Sequence, residues 1–195
     1  MSYAPAVITH RVSSRSRVAA ATLVVTAAAL TAMAAQWRIP LWPVPITGQT
    51  FAVLLTGAAL GWRLGGAGQL LYLAVGALGA PVFTEASRGW DVLVGPTAGY
   101  LFAFPVAAAL VGRLAERRQD RRFWSMALAF IVGSAVIYLG GMVGLVVLAD
   151  LSPAAAFADG VAPFLVGDAV KAAAAGLLLP GAWRLTRPTA GGGSR

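Results

Sequence analysis

The chain has 195 residues, 58% of them hydrophobic and only 11% charged, against roughly a quarter charged in soluble domains, and that balance argues against a water-soluble fold. There is no cysteine, and the single histidine, His10, lies in a polar N-terminal stretch, so disulfides, iron–sulfur clusters and thiolate sites are excluded and no metal centre is expected. The net charge of +8 comes almost wholly from arginines between apolar runs, which points to membrane topology rather than to nucleic acid.

Residues 1–17 read as a cytoplasmic N-terminal tail, 18–186 as one transmembrane substrate-binding domain, and 187–195 as a flexible C-terminal tail. Apolar segments fall at about 18–36, 47–62, 64–81, 95–115, 123–149 and 161–184, each near the ~20 residues that a helix needs to cross a bilayer. The expected fold is all-α, a compact bundle of six transmembrane helices in a multi-pass inner-membrane protein. Arginines precede the first segment, but no small-residue cleavage site leads into a soluble region, so this segment is expected to be a permanent span. It carries small residues at four-residue spacing, among them Ala28 and Ala32, which let another helix approach closely.

Between the first two segments, Trp37 to Thr50 contains Pro40, Pro43 and Pro45, which prevent helix continuation and favour an extended lid or packed loop. Thr47, Gln49 and Thr50 bring hydrogen-bonding groups to the mouth of the second segment and are candidate pocket residues. The competing reading makes Thr47 a helix cap and leaves Gln49 in solvent. The second and third segments are short, glycine-rich and joined only by Trp62, Arg63 and Leu64, so they read as a tight hairpin, tilted or broken, and the span count is five or six.

The stretch 81–100 concentrates aromatic, polar and glycine residues: Thr84, Glu85, Arg88, Trp90 and Tyr100. It is expected to close over a solute, with Trp90 and Tyr100 against an apolar ring and Arg88 meeting a carboxylate. Ordinary anchoring at the membrane interface is the alternative for Trp90 and Arg88.

The sixth segment holds the only lysine. From Val161 to Pro180 its ionisable residues are Asp168 and Lys171. An ionisable side chain deep in a membrane helix costs about 2.5–3.5 kcal/mol on insertion scales and faces a partner or a wet cavity. Three residues apart on a helix, the two side chains share a face, so they either neutralise each other or grip one ligand, the carboxylate accepting ligand N–H groups and the ammonium donating to a carbonyl or carboxylate.

Orientation follows from the arginines. Arg11, Arg15, Arg17, Arg63, Arg113, Arg117, Arg118, Arg121, Arg122, Arg184, Arg187 and Arg195 fall on one side, and only Arg38 and Arg88 on the other. Positively charged loops stay in the cytoplasm, so both termini are expected there. Glu85, Asp91, Asp150 and Asp159 then face outward, with Trp37, Trp42 and Trp90 near the outer interface.

Four motifs in order, Pro43-Val-Pro-Ile-Thr-Gly-Gln-Thr50, the Gly-Ala-x-Gly-Ala-Pro-Val-Phe passage at 76–83, Gly95-Pro-Thr-Ala-Gly-Tyr100 and Gly167-Asp-Ala-Val-Lys171, resemble the BioY family, the substrate-binding components of energy-coupling-factor (ECF) biotin transporters. The resemblance covers about residues 18 to 185 and implies biotin bound near the outer face, with Asp168 and Lys171 matching the family's ligand pair and Gln49 and Tyr100 lining or shaping the pocket. Some pockets of this family use an asparagine amide, whereas this chain has no asparagine; either Thr84, Glu85 or Gln49 substitutes or that contact is absent. The resemblance further implies no cofactor, biotin as cargo, and a coupling protein of the ECF class with ATP-binding subunits as partners, docked on the surface that includes Ala28 and Ala32. The sequence has no phosphate-binding loop of its own, so ATP is used only by those subunits. Other readings are a component for a different vitamin and a proton-coupled solute carrier using Asp168. A membrane-embedded enzyme has little to work with, as no histidine or cysteine lies in the apolar segments.

Overall fold

The structure is a computed structural model and describes residues 16–117 and 123–165. Helix α1, Arg17–Ala35, begins where Ser16 Oγ accepts a hydrogen bond from the Ala19 amide, the usual work of an N-cap serine. Ala27, Thr31 and Ala35 form its buried stripe, while Val18, Val25 and Met33 point away from the protein. Apolar side chains facing outward are what a lipid solvent accepts, since lipid tails are as apolar as the side chains themselves.

The proline-rich stretch that follows is a small hairpin. β1, Arg38–Ile39, pairs antiparallel with β2, Ile46–Thr47, in the register Arg38↔Thr47 and Ile39↔Ile46. The Gly48 amide donates to the Trp37 carbonyl and closes it.

Helix α2, Gln49–Ala77, is two helices in one. At Gly61 the backbone turns to φ 79°, ψ 175°, a conformation open to a residue without Cβ. Gln69 Nε2 donates to Thr56 Oγ1 (3.1 Å) and Gln49 Nε2 to Tyr72 Oη (2.7 Å), so the arms 49–60 and 62–77 lie side by side and antiparallel. The two short segments expected here are thus the arms of a hairpin whose tip is Gly61, one residue before the expected linker.

A short 3-10 turn, Thr84–Ala86, and a one-turn helix α3, Trp90–Leu93, lead to α4, Ala98–Arg117. Helix α5 spans Phe123–Leu148, and α6, Pro153–Gly160, is capped by Ser152 Oγ accepting from the Ala155 amide. Neither the strand pair nor α3 and α6 was expected from the apolar segments, because each is shorter than the window that reveals a span. Of the sixth segment, only 161–165 lies within the described residues; Asp168 and Lys171 lie outside them.

α2 sits at the centre, packed on α1 and on α4, while α5 covers α4 and α6 covers α5. The α4–α5 contact is between backbones: a Cβ placed on Gly99 would collide with the Gly140 carbonyl oxygen and stand 2.8 Å from Gly144 Cα. Among the described residues, α1, α4 and the 125–148 part of α5 are long and apolar enough to cross a membrane, with mean hydropathies of 2.0, 1.6 and 2.3. α2, diluted by Gln49, Arg63, Gln69 and its glycines, is not one of these.

Polar groups buried in this apolar setting bond to one another. Thr31 Oγ1 donates to Gln69 Oε1 (3.2 Å) and Gln69 Nε2 to Thr56 Oγ1, a chain that ties α1 to both arms of α2. Both threonine hydroxyls also bond to carbonyls one turn back, so they keep a partner if the glutamine is removed. Gln69→Leu is therefore expected to cost about 1–2 kcal/mol rather than the full penalty of an orphaned donor, read from an unfolding titration in detergent.

The charges separate by end. At the hairpin tip the guanidinium groups of Arg63 and Arg113 lie 5.0 and 6.0 Å from the Trp62 ring centroid, and the Trp62 amide donates to Glu116 Oε1. At the other end Arg38 pairs with Glu85.

Candidate functional site

A pocket opens at the Arg38–Glu85 end of the bundle, an empty volume of about 630 Å³ including its open mouth. One wall comes from the hairpin and the start of α2: Val44, Pro45, Thr47, Gln49 and Thr50. A second comes from the loop before α4: Phe83, Thr84, Ser87 and Val92. α4 supplies Tyr100, Leu101 and Phe104 with Thr97 just before it; Tyr138 of α5 and Phe164 complete the lining.

The sequence positions these groups locally. The chain bends through 42–44, Pro45 leads it directly into β2, and the first turn of α2 then buries Gln49. Gln49 is 5% exposed and its carboxamide is held from three sides: Oε1 accepts from Thr47 Oγ1 (2.9 Å) and Thr84 Oγ1 (3.3 Å), and Nε2 donates to Tyr72 Oη. One N–H of that amide has no bond among these. Tyr72 also donates to the Val82 carbonyl (3.3 Å) and stands edge-on to Phe83, with ring centroids 5.4 Å apart. Across the pocket, Tyr100 Oη donates to the Gly160 carbonyl (2.7 Å), fixing its ring near Phe164 and joining α4 to the end of α6.

The second wall contains strained backbone. Glu85 and Ala86 have φ of 61° and 53°, a left-handed region that costs a non-glycine residue about 1–2 kcal/mol. Hydrogen bonds hold the segment there: Phe83 N to Ser87 O, Ser87 N and Ser87 Oγ to Thr84 O, and the Gln36 side chain to the Phe83 carbonyl and the Ala86 amide. Such strain persists where surrounding structure over-determines it, which is characteristic of binding sites.

Among the described residues the lining carries no formal charge. It offers hydroxyls, one carboxamide and aromatic rings, a surface fitted to a small solute that is partly apolar and hydrogen-bonds through neutral groups.

Of the residues singled out from sequence, Gln49, Thr47, Thr84 and Tyr100 come together here. Arg88 and Trp90 do not line this pocket: both are exposed, Trp90 at 67%. The reason is local, since α3 turns Leu93 and Val92 inward and leaves Trp90 on its outer side. Trp37 and Trp42 are 80% and 87% exposed at the same end, the placement of interface anchors. Glu85 is engaged by Arg38 outside the lining, whereas Thr84 and Gln49, the other two residues expected to stand in for an asparagine, are part of it. Ala28 and Ala32 are half-buried against the protein's own core, so part of their surface is already covered.

Tyr72, Phe104, Tyr138 and Phe164 were not singled out from sequence. The last three are aromatics in apolar runs and give no separate signal. Tyr72 is six residues C-terminal to Gly66, and only the fold of the hairpin reveals that it faces Gln49.

Comparison with known proteins gives a consistent result. The model of the BioY family matches residues 9–188. The probable biotin transporter BioY of Pyrococcus horikoshii is 42% identical over 147 residues, covering 75% of this chain and 85% of that protein. The biotin transporter BioY of Thermotoga maritima is 38% identical over 151 residues, covering 77% and 87%. The crystal structure of the S-component for biotin from an ECF-type ABC transporter superposes with a TM-score of 0.77 at 22% identity, covering 86% of this chain and 92% of that one; at that identity the likeness speaks for the fold.

Proposed function

Since this chain belongs to the BioY family, we propose that it captures biotin for uptake, as the substrate-binding S component of an ECF-type transporter. It is a transporter component and not an enzyme, and biotin is its cargo. The observation that carries the reading is the neutral, aromatic and hydroxyl-lined pocket at the end of the bundle, on a chain whose relatives are biotin transporters.

The chemistry is complementary. Biotin has an apolar thioether ring, a neutral ureido group with two N–H donors and one carbonyl, and a carboxylate tail. The rings of Tyr100, Phe104, Tyr138 and Phe164 suit the apolar part, and the fixed carboxamide of Gln49 with the hydroxyls of Thr47 and Thr84 suits the ureido group or the tail. Asp168 and Lys171 add the two charges that the described wall lacks. Arg88 and Trp90, exposed at the rim, serve solute capture or interface anchoring rather than the inner wall.

Six spans with both termini in the cytoplasm complete the reading, in a bacterial inner membrane. It is supported by three span-length helices and by the gathering of Arg63, Arg113 and Arg117 away from the pocket end, since basic loops are retained inside. The pocket then opens outward. Energy comes from a coupling protein and ATP-binding subunits, with α1, including Ala28 and Ala32, as the surface on which the coupling protein docks.

Purified in detergent without added biotin, the protein is expected to bind biotin stoichiometrically in a calorimetric titration, with no competition from other vitamins. Absence of binding, once copurified biotin has been ruled out by mass spectrometry, overturns the substrate assignment.

A further inference from the structure

The end of α1 reaches the pocket through one side chain. Gln36, the residue that caps α1, is exposed, yet both halves of its carboxamide are engaged. Nε2 donates to the Phe83 carbonyl (3.0 Å) and to the Ala32 carbonyl (3.1 Å), and Oε1 accepts from the Ala86 amide (3.2 Å). A side-chain amide is a peptide group on a tether, and here it stands in for a neighbouring strand, pairing with the chain on either side of Thr84 and Glu85.

What it pairs with is the strained part of the pocket wall. Glu85 and Ala86 hold their left-handed conformation between the two contacts of Gln36. On one side of that turn Phe83, 1% exposed, rests on Tyr72; on the other Ser87 closes the turn onto Thr84. The turn in this shape brings Thr84 Oγ1 to 3.3 Å from Gln49 Oε1. Released from Gln36, the turn has reason to relax toward ordinary backbone, and Thr84 would leave Gln49.

We propose that Gln36 is a positioning residue for solute binding: its own side chain is outside the pocket lining and bonds only to backbone groups of Ala32, Phe83 and Ala86, and it fixes the 83–87 segment so that Thr84 and Gln49 present one preorganised polar wall. Arg38, two residues on, adds an ion pair to Glu85 on the exposed side, where such a pair contributes little, so the amide carries the register. The proposal rests on the reading of this pocket as the biotin site for its effect on affinity, but not for the clasp itself.

The test uses the full-length protein in detergent and a Gln36→Leu variant of similar volume. In the biotin-free state, hydrogen–deuterium exchange of the peptide covering 83–90 is expected to rise at least about tenfold in the variant, while peptides from α4 stay unchanged. Biotin affinity is expected to fall about tenfold, with faster dissociation. A purely structural role would lower affinity as well, so a double-mutant cycle separates the two. Gln36→Leu and Thr84→Val should be strongly non-additive, because the first already displaces the group that the second removes. Gln36→Leu with Thr97→Val, on a different wall, should be additive. Unchanged exchange at 83–90 refutes the clasp, and it does so even if the parent binds no biotin. Raised exchange with unchanged affinity, or additive losses with Thr84→Val, refutes the positioning role while leaving the biotin assignment intact.

Discussion

Replacing Asp168 by asparagine is expected to weaken biotin binding about 100-fold or more, and Lys171→Ala is expected to do the same. The two residues are the ionisable groups of an apolar run from Val161 to Pro180, and Lys171 is the only lysine in the chain. A charge kept in such a run at a cost of several kcal/mol has a partner or a function. Truncating one member of a buried, hydrogen-bonded charge pair costs about 2–5 kcal/mol, part of it from the stranded partner, and a hundredfold loss corresponds to about 2.7 kcal/mol. Asp168→Asn keeps the size of the side chain but removes the charge and turns one acceptor oxygen into an N–H donor, so it tests the carboxylate's charge and its acceptance of ligand N–H groups together. Calorimetry on monodisperse variants gives the answer, and undiminished affinity in both would move the binding site to the neutral wall alone.

The largest effect on the fold itself should come from Gly99→Val. The first turn of α4 meets α5 at Gly140 and Gly144 with no side chain between them, and the nearest atoms are backbone, which cannot rotate aside. Two added methyl groups and a Cβ must force the helices apart or distort them. Overpacking in a tight core costs about 1–3 kcal/mol; with a backbone as the obstacle, about 3 kcal/mol or more is expected, accompanied by loss of the pocket that Tyr100 shares with α5. Ala29→Val is the matched control, since Ala29 lies on the exposed side of α1. Thermal unfolding in detergent distinguishes them: a large drop for Gly99→Val and almost none for Ala29→Val. Equal melting temperatures for the two variants would contradict the close packing.

The parts of this protein that sequence reasoning reaches are those where chemistry and backbone leave compositional marks. Trp62, Arg63 and Leu64 between two short, glycine-rich apolar runs read as the link of a hairpin, and the structure breaks α2 one residue earlier, at Gly61. Gln49 and Thr47 stand out as polar residues beside a proline-rich stretch, and they meet in the pocket. Tyr138 and Phe164 do not stand out. α5 is apolar on every side, because lipid and protein interior accept the same side chains, and the periodicity that marks a buried face in water is erased. Trp90 and Arg88 carry a double signature, since an aromatic and a cation beside glycines look the same at a membrane interface as at a ligand, and both are outside the pocket lining. Thr31, Thr56 and Gln69 were not singled out from sequence, and which of them bond together follows only from the hairpin.

That hairpin also has a bearing on the surrounding lipid. At 1.5 Å per residue, its arms of 49–60 and 62–77 are only about 18 and 24 Å long, while an average hydrocarbon core is about 30 Å thick. α1, α4 and α5 are long enough to offer a membrane an apolar surface of ordinary height; the arms of α2 offer a shorter one, with Trp62 partly exposed at the tip. The bilayer accommodates such a mismatch by thinning locally, at a cost of fractions of a kcal/mol per Å. The short arms therefore predict a bilayer thinned along this flank, or an association that shields it, and make acyl-chain length a variable expected to change how the protein sits among its neighbours.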